Sequence, residues 1–228
     1  MIRKVLLVFS VLIFTPVFSI IVFFVGLLDR KKNISGYFCR LWSKTILYFS
    51  NIKCNAVGLD NIDYKKQYIF ISNHQSALDI LLTFASIPLP ISFFAKKELF
   101  FIPLFGWAMI TSGMISVNRN DKNKSKKSVD KAIDKIYSTN LSFLNYPEGT
   151  RTDYMQLNNF KKGGFILAIK SKIPVVPLTL IYNENFYIDP NITLVVDNAI
   201  DTLNYNMKDR DTLINKVRNK MVSNLNKW

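Results

Sequence analysis

A histidine and an aspartate five positions apart, His74 and Asp79, form the sharpest chemical signal in the sequence. They follow the apolar, β-prone run Tyr68–Ser72 and precede a helical pattern, so His74 is expected at a strand–helix turn. Because five positions on one ideal helix are about 140° apart, the two side chains can meet only if Asp79 lies in the first helical turns. There its carboxylate could accept one ring N–H and leave the other nitrogen as a base. The alternative is a histidine that only caps the helix.

Other reaction types are poorly supported by the sequence. The chain has a single histidine, no G-x-S-x-G motif, and two cysteines, Cys39 and Cys54, without an adjacent base in sequence. One histidine and one aspartate are also too few recognisable ligands for a metal, so we expect no metal site. What remains is a base that deprotonates a substrate hydroxyl directly, a pattern typical of a transferase.

A second candidate site is the segment YPEGTR, residues 146–151, which follows another apolar run. Its proline and Gly149 predict a tight loop, and Gly149 would let a ligand approach the backbone closely. Thr150 offers a hydroxyl, and Arg151 offers a planar fork suited to phosphate or carboxylate. Glu148 could orient Arg151 or another part of the loop. Taken alone, the segment is more typical of a structural turn with an exposed ion pair.

From residue 52 onward, short β-rich runs alternate with helical patterns. The predicted strands are Lys53–Val57, Tyr68–Ser72, Ile91–Ala95, Met114–Val117, Leu141–Asn145, Val175–Tyr182 and Ile192–Val196. The predicted helices are Ala77–Ser86, a segment within Pro103–Thr111, Lys126–Ser138, Lys161–Lys170 and Asp209–Lys227. This alternation predicts an α/β domain over residues 52–228, with a central, mostly parallel or mixed sheet flanked by helices. Ligands bind at the carboxyl ends of strands in such sheets, which is where His74 is expected.

Residues 1–51 are predicted to form a helical membrane-anchoring motif. The run from Val5 to Leu28 carries no charge and would be about 36 Å long as a helix, against a hydrocarbon core of roughly 30 Å. Pro16 should kink this helix or divide it into two half-helices. A cleaved signal peptide and a buried core helix are the alternatives. Basic residues flank both ends, so they do not distinguish a spanning helix from a segment that enters one leaflet and returns.

The segment that follows predicts an amphipathic helix, either interfacial or facing the core. One face carries Ile34, Phe38, Leu41, Trp42, Thr45, Ile46 and Phe49. Amphipathic rings of the kind found at headgroup depth are supplied by Tyr37, Trp42 and Tyr48.

Composition limits the class of protein. With 49% apolar residues among 228, the chain can form a core, which excludes intrinsic disorder. Thirty lysines and arginines against sixteen acidic residues give a net charge of +14, which suits nucleic acid, an anionic membrane or acidic partners. No nucleic-acid-binding signature accompanies the charge, so we expect lipid headgroups and no nucleic acid. The expected location is a membrane, at the cytoplasmic face of the inner membrane if the protein is bacterial.

Six motifs in order resemble the 1-acylglycerol-3-phosphate acyltransferase family. They are NHQSALD (73–79), AKKELFFIPLFGW (95–107), GMISVNR (113–119), YPEGTR (146–151), FKKGG (160–164) and IPVVPL (173–178). The resemblance covers roughly residues 52–185, and the hydrophobic N-terminal segment is also similar. The family usually has phenylalanine where Tyr146 stands, and often aspartate where Asn118 stands, so one charge is missing beside Arg119.

The resemblance implies an acyl transfer from acyl-CoA or acyl-acyl carrier protein to the sn-2 hydroxyl of lysophosphatidate, with no cofactor beyond this acyl-thioester co-substrate. Membrane lipids are the implied partners, and acyl carrier protein is a further one where it delivers the acyl group. The alternatives are acylation of another lysophospholipid or of an aminolipid, and an inactive membrane-binding scaffold on the same fold.

Residue roles follow from the motif match alone. His74 would be the general base and Asp79 its orienting partner. The substrate phosphate would be bound by Lys96, Arg119 and Arg151, with Lys97 as an alternative to Lys96. The loop would be shaped by Glu148, Gly149 and Thr150, and the 173–178 stretch would be an interior strand near the acyl site.

Overall fold

The computed structural model describes residues 2–117, 122–152, 156–183 and 190–227. These residues form seven α-helices, which are α1 (Ile2–Leu28), α2 (Asn33–Phe49), α3 (Leu78–Ser86), α4 (Phe105–Thr111), α5 (Lys122–Ser138), α6 (Gly163–Ser171) and α7 (Arg210–Leu225). They also form seven strands, which are β1 (Lys53–Val57), β2 (Ile69–Ser72), β3 (Ile91–Lys96), β4 (Ile115–Val117), β5 (Ser142–Asn145), β6 (Val175–Tyr182) and β7 (Asn191–Val196). Short 3₁₀ helices cover Leu59–Asn61 and Lys97–Phe101.

The strands form one mixed sheet in the order β1-β7-β6-β2-β5-β3-β4. Strands β2 to β6 all run parallel to one another. Strand β7 is antiparallel to β6, and β1 is parallel to β7. The predicted α/β class with a mostly parallel or mixed sheet is therefore confirmed. Strand β2, which leads to His74, lies in the middle of the sheet between β5 and β6.

Helices cover both faces of the sheet because successive strand residues point in opposite directions. On β2, Phe70 belongs to a core with residues of α2, α3 and α4, whereas Ile69 and Ile71 belong to a second core with residues of α5, α6 and α7. All three are fully buried. A strand held from both faces and from both edges gives the residue after it a fixed position, as a catalytic group requires.

Helix α1 is one continuous helix that contains Pro16, so the division into two half-helices does not occur. The indole N–H of Trp42 in α2 donates to Thr15 Oγ1 at 3.2 Å. Near the other end, Gly26 lies so close to Thr111 of α4 that a Cβ atom would be 2.8 Å from the threonine. By length and composition α1 could cross a membrane. Most of its apolar side chains are exposed, so α1 is not a core helix.

Helix α2 faces the core over only part of its apolar surface. Its Ile46 and Leu47 are buried in the core that includes α3. In contrast, the side chains of Ile34, Tyr48 and Phe49 are exposed. Two of them, Ile34 and Phe49, belong to the apolar face that was predicted to be either interfacial or core-facing along its whole length. The N-terminal helices therefore add to the core on one side and present apolar and aromatic side chains on the other.

Candidate active site

The carboxyl ends of four neighbouring parallel strands meet at one edge of the sheet and carry most of the candidate residues. Strand β2 leads to His74, and β5 leads to the 146–151 loop. Strand β3 ends at Lys96 and β6 ends at Tyr182. Because β2 and β5 are paired, the two sequence motifs expected to act together do lie side by side.

His74 and Asp79 are in direct contact. His74 lies in the turn after β2, and Asp79 lies in the first turn of α3. The distance from His74 Nδ1 to Asp79 Oδ2 is 2.7 Å. With the carboxylate as acceptor the ring proton is on Nδ1, which leaves Nε2 as the basic nitrogen. Asp79 is fully buried, whereas the His74 side chain keeps 17% of its exposure, so a substrate can still reach the ring.

The buried Asp79 carboxylate is surrounded by hydrogen-bond donors. The backbone N–H groups of Gln75 and Ser76 donate to Oδ2 at 2.7 and 2.9 Å, and the Tyr182 hydroxyl donates to Oδ1. Burial, and then the charge of Asp79, raise the pKa of Tyr182 well above its usual value, so its hydroxyl stays a donor. These bonds offset the cost of burying a charge and fix the carboxylate that orients the imidazole.

The His74 ring is also held by an aromatic neighbour. Tyr146 stacks on it with ring centroids 4.3 Å apart and planes inclined by 24°. Tyr146 stands where the related family usually has phenylalanine, and the stacking requires only the ring. Burial raises the pKa of Tyr146 well above its usual value, so the hydroxyl is neutral beside the histidine.

Glu148 joins the two motif loops through backbone groups. The N–H of His74 donates to Glu148 Oε1 and the N–H of Asn158 donates to Oε2, both at 2.9 Å. Burial raises the pKa of Glu148, although these two hydrogen bonds oppose the effect. On the other side, the N–H of Thr152 donates to the His74 carbonyl at 2.8 Å. Glu148 therefore positions the His74 backbone, which lies outside its own loop and was not among the two roles considered from sequence.

Gly149 makes the tight turn that its sequence predicts, with φ at +73°. A Cβ atom at this position would lie 2.4 Å from Lys161 Nζ, so the group that approaches the Gly149 backbone is a lysine side chain. Thr150 and Arg151 are exposed at the rim of the turn. Lys161, which sequence reasoning did not single out, thus adds a cation to this loop.

The three other predicted cations differ in how the structure places them. Lys96 is exposed at the end of β3, on the edge that carries His74. Lys97 lies over Phe101, with Nζ 5.5 Å from the ring centroid, a cation–π contact directed at the protein itself. Arg119, together with Asn118, lies outside the described residues.

Two further site residues carried no individual prediction, Asn73 and Tyr182. The buried Asn73 side chain donates to the Leu180 carbonyl at 2.8 Å and accepts from the Leu180 N–H at 2.7 Å, extending the β2–β6 pairing to the residue before His74. Asn73 belongs to the NHQSALD motif, which was the available signal. Tyr182 belongs to none of the six motifs, and only the strand order brings it to Asp79.

A large apolar cavity of about 1210 Å³ lies between α1, α2, α3 and α4, beside the segment that follows His74. Its apolar wall includes Leu7, Val11, Leu81, Phe84, Phe93 and Met109. Its polar end is lined by Gln75, Ser76, Thr152 and Tyr182. Each of these four residues is hydrogen bonded to His74 or Asp79. The volume exceeds the range of about 300–1,000 Å³ common for small-molecule pockets. A long apolar group can therefore be bound with its polar end beside the histidine.

Comparisons with known proteins all lead to one group of enzymes. A model of the acyltransferase family matches residues 53–181. A chloroplast 1-acyl-sn-glycerol-3-phosphate acyltransferase of Brassica napus is 30% identical over 213 residues, covering 89% of this chain and 60% of the relative. The 1-acyl-sn-glycerol-3-phosphate acyltransferase of Saccharomyces cerevisiae is 32% identical over 180 residues, covering 75% and 59%. The chain thus spans about 60% of the length of these two relatives.

The fold is shared with a solved structure. The crystal structure of the 1-acyl-sn-glycerophosphate acyltransferase PlsC from Thermotoga maritima matches with a TM-score of 0.78, covering 99% of this chain and 94% of that one at 19% identity. At this identity the match demonstrates a common fold. The match to the family model establishes membership of the family, because residues 53–181 are more than half of the 228-residue chain. The chain belongs to the acyltransferase family, and its predicted resemblance to the 1-acylglycerol-3-phosphate acyltransferases is confirmed.

Proposed function

We propose that the protein is a membrane-bound 1-acyl-sn-glycerol-3-phosphate acyltransferase, which moves an acyl group from acyl-CoA or acyl-acyl carrier protein to the sn-2 hydroxyl of lysophosphatidate. The observation that carries the proposal is the His74–Asp79 pair, which is hydrogen bonded to residues that line a large apolar cavity. The activity named for the Brassica napus and Saccharomyces cerevisiae relatives supports it.

The reaction needs one base and one orienting acid. His74 Nε2 takes the proton of the acceptor hydroxyl while the hydroxyl oxygen attacks the thioester carbonyl carbon. Asp79 keeps the other ring proton on Nδ1 and stabilises the imidazolium that forms. When the carbon–sulfur bond breaks, the leaving thiolate takes the proton from His74, which returns to its starting state. General-base catalysis of this kind contributes about 10²–10⁴-fold to a rate.

The apolar cavity suits the acyl chain, and the cations at the loop edge suit the acceptor phosphate. Arg151 is exposed beside Thr152, whose N–H contacts the His74 carbonyl. Lys96 lies on the same edge of the sheet, and Lys161 lies over Gly149. By motif match Arg119 belongs to this group. Fixing the phosphate would hold the sn-2 hydroxyl close to His74, an effect worth about 7–11 kcal/mol in well-oriented systems.

An arginine that binds the phosphate in the ground state and the transition state alike should mainly affect KM. Arg151→Ala is therefore expected to raise the KM for lysophosphatidate about tenfold or more, with a smaller change in kcat. Steady-state kinetics at saturating acyl donor measure both constants. The matched control is Lys220→Ala, which removes an exposed cation of α7, on the face of the sheet that does not carry the cavity. This substitution should change neither constant. If Arg151→Ala keeps the wild-type KM and kcat, Arg151 does not bind the substrate phosphate.

A panel of acceptors and donors tests the proposed function directly. Purified protein is offered lysophosphatidate, lysophospholipids with larger headgroups and an aminolipid, each with acyl-CoA and with acyl-acyl carrier protein. The proposal expects phosphatidate formation to have the highest kcat/KM among the acceptors. A higher kcat/KM for another lysolipid or for the aminolipid would reassign the substrate while keeping the chemistry. No acyl transfer with any pair would refute the enzyme activity.

For membrane attachment we propose that α1 lies along the domain, with its apolar side inserted into one leaflet. Its contacts with α2 near Thr15 and with α4 near Gly26 hold it against the α/β core over much of its length. On the outer side, α1 exposes apolar residues such as Phe9 and Ile13. Its Phe14 and Phe23 contact the exposed rings of Phe49 in α2 and Trp107 in α4. Binding of such a surface scales with the buried apolar area and with attraction to anionic lipid.

Charges placed on this surface should weaken membrane binding without filling the cavity. Phe9→Glu/Ile13→Glu, at two exposed positions one helical turn apart that do not line the cavity, is expected to reduce sedimentation with anionic vesicles at least about tenfold. Leu203→Glu/Met207→Glu adds the same charge at exposed apolar positions before α7 and serves as the matched control. Equal sedimentation of both double variants and the wild type would show that α1 is not the anchor. Point substitutions are preferable to deleting α1, because residues of α1 also line the cavity.

A further inference from the structure

One hydrogen-bond donor at the candidate active site, the side-chain amide of Gln75, has no partner among the described residues. The Nε2 atom of Gln75 is buried, yet among the described residues no group accepts a hydrogen bond from it. Its backbone N–H, in contrast, donates to Asp79 Oδ2. A buried amide without a partner destabilises the folded state, and such groups are rare in folded proteins.

Another glutamine of the chain shows what a structural amide is like. Gln67 Nε2 lies within hydrogen-bond distance of the backbone carbonyls of Ile136, Thr139 and Leu141, at 2.9, 3.1 and 2.9 Å. It links the start of β2 to the end of α5 and the segment that follows. Gln75 makes no comparable contribution through its side-chain nitrogen, so stability does not account for its amide.

The position of Gln75 indicates what the free donor is for. Gln75 follows His74 in sequence and lines the polar end of the large cavity with Ser76 and Tyr182. In the proposed function the acyl chain fills this cavity, which brings the thioester carbonyl to its polar end. A neutral amide N–H is well suited to a developing oxyanion, because it donates a hydrogen bond and requires no proton transfer.

We propose that the Gln75 side-chain amide donates a hydrogen bond to the thioester carbonyl oxygen as that oxygen becomes negatively charged; this inference rests on the proposed acyl transfer. As the acceptor oxygen bonds to the carbonyl carbon, the carbonyl π pair moves onto its oxygen, next to Gln75 Nε2, and the hydroxyl proton goes to His74. When the carbonyl re-forms, the carbon–sulfur bond breaks and the thiolate takes the proton back from His74. The backbone N–H groups of Gln75 and Ser76 are bonded to Asp79, so they are not available for this role.

Gln75→Met tests the proposal, because methionine has a similar length and shape without a donor. Kinetics with lysophosphatidate and the preferred acyl donor should give a kcat lowered on the order of 10²-fold, the usual effect of removing one oxyanion donor. Both KM values should stay within threefold, since the interaction forms only in the transition state. The melting temperature should stay the same or rise, because a buried unpaired amide is replaced by an apolar group.

Gln67→Met is the matched control, and its expected effects on melting temperature and kcat are the reverse of those of Gln75→Met. It should lower the melting temperature and leave kcat per folded molecule unchanged. The Gln75 proposal is overturned if Gln75→Met keeps kcat within threefold, or if it loses melting temperature as Gln67→Met does while kcat per folded molecule is preserved. A wild-type protein that transfers no acyl group would refute the proposed function and this inference together, whereas active wild type with equally active Gln75→Met would refute only the inference.

Discussion

Replacing His74 with alanine is expected to lower kcat for acyl transfer by about 10⁴-fold, the upper end of what a general base contributes. The chain contains no other imidazole that could take over the proton. The measurement is single-turnover acyl transfer to lysophosphatidate, normalised to the amount of folded protein.

The His74→Ala variant should still fold, because the contacts that tie this turn to its neighbours use backbone atoms. The His74 N–H is bonded to Glu148 and the carbonyl accepts from Thr152, and alanine retains both groups. Only the Asp79 contact and the stacking on Tyr146 are lost. Circular dichroism and sedimentation with vesicles should therefore resemble wild type. A rate within tenfold of wild type in this variant would end the proposed mechanism.

Asp79→Asn is expected to lower kcat by about 10³-fold. In a serine protease, the corresponding substitution reverses the histidine tautomer and lowers kcat by about 10⁴-fold, so a smaller loss is expected where the tautomer is kept. Three donors, from His74, Gln75 and Ser76, converge on Oδ2, so the amide oxygen of asparagine should occupy that position. Its NH₂ group then faces the Tyr182 hydroxyl, which can rotate to accept a hydrogen bond. The histidine would keep its tautomer and lose only the charge that stabilises the imidazolium.

This account of Asp79→Asn is checked by a second substitution. Tyr182→Phe removes the acceptor for the new NH₂ group, so adding it to Asp79→Asn should lower the melting temperature further. Asp134→Asn, at an exposed aspartate of α5, is the control for loss of a negative charge and should leave kcat unchanged. Wild-type kcat in Asp79→Asn would show that the carboxylate charge takes no part in the reaction.

The positions of the helices and strands along the chain were largely predictable because hydrophobic periodicity is a local property. Strands β1 and β6 have the predicted bounds. Helix α7 buries Leu213, Val217 and Met221, three apolar residues spaced four positions apart. The meeting of His74 and Asp79 was predictable in the same way, since a strand–helix turn constrains residues five apart. In α5, however, Tyr137 follows the helical spacing of the buried Ala132 and Ile136 and yet is exposed. Periodicity alone does not define where an apolar stripe ends.

The features that the sequence did not reveal depend on contacts between distant segments. Pro16 does not divide α1, because Trp42 and Thr111 hold the helix on both sides of the proline. Tyr182 reaches Asp79 only because β6 lies beside β2. The order of strands in a sheet cannot be predicted from local sequence patterns. Lys161 reaches the Gly149 turn because its backbone N–H donates to the Pro147 carbonyl. Tertiary packing decided each of these cases.

The single imidazole also makes this active site unusually accessible to spectroscopy. Protein grown with ¹⁵N-labelled histidine would give nitrogen signals from one ring only, even in detergent micelles or nanodiscs, with no assignment step. Their chemical shifts would report directly which ring nitrogen carries the proton. The same two signals, followed during addition of lysolipid or a non-hydrolysable thioester, would show when each substrate reaches the base.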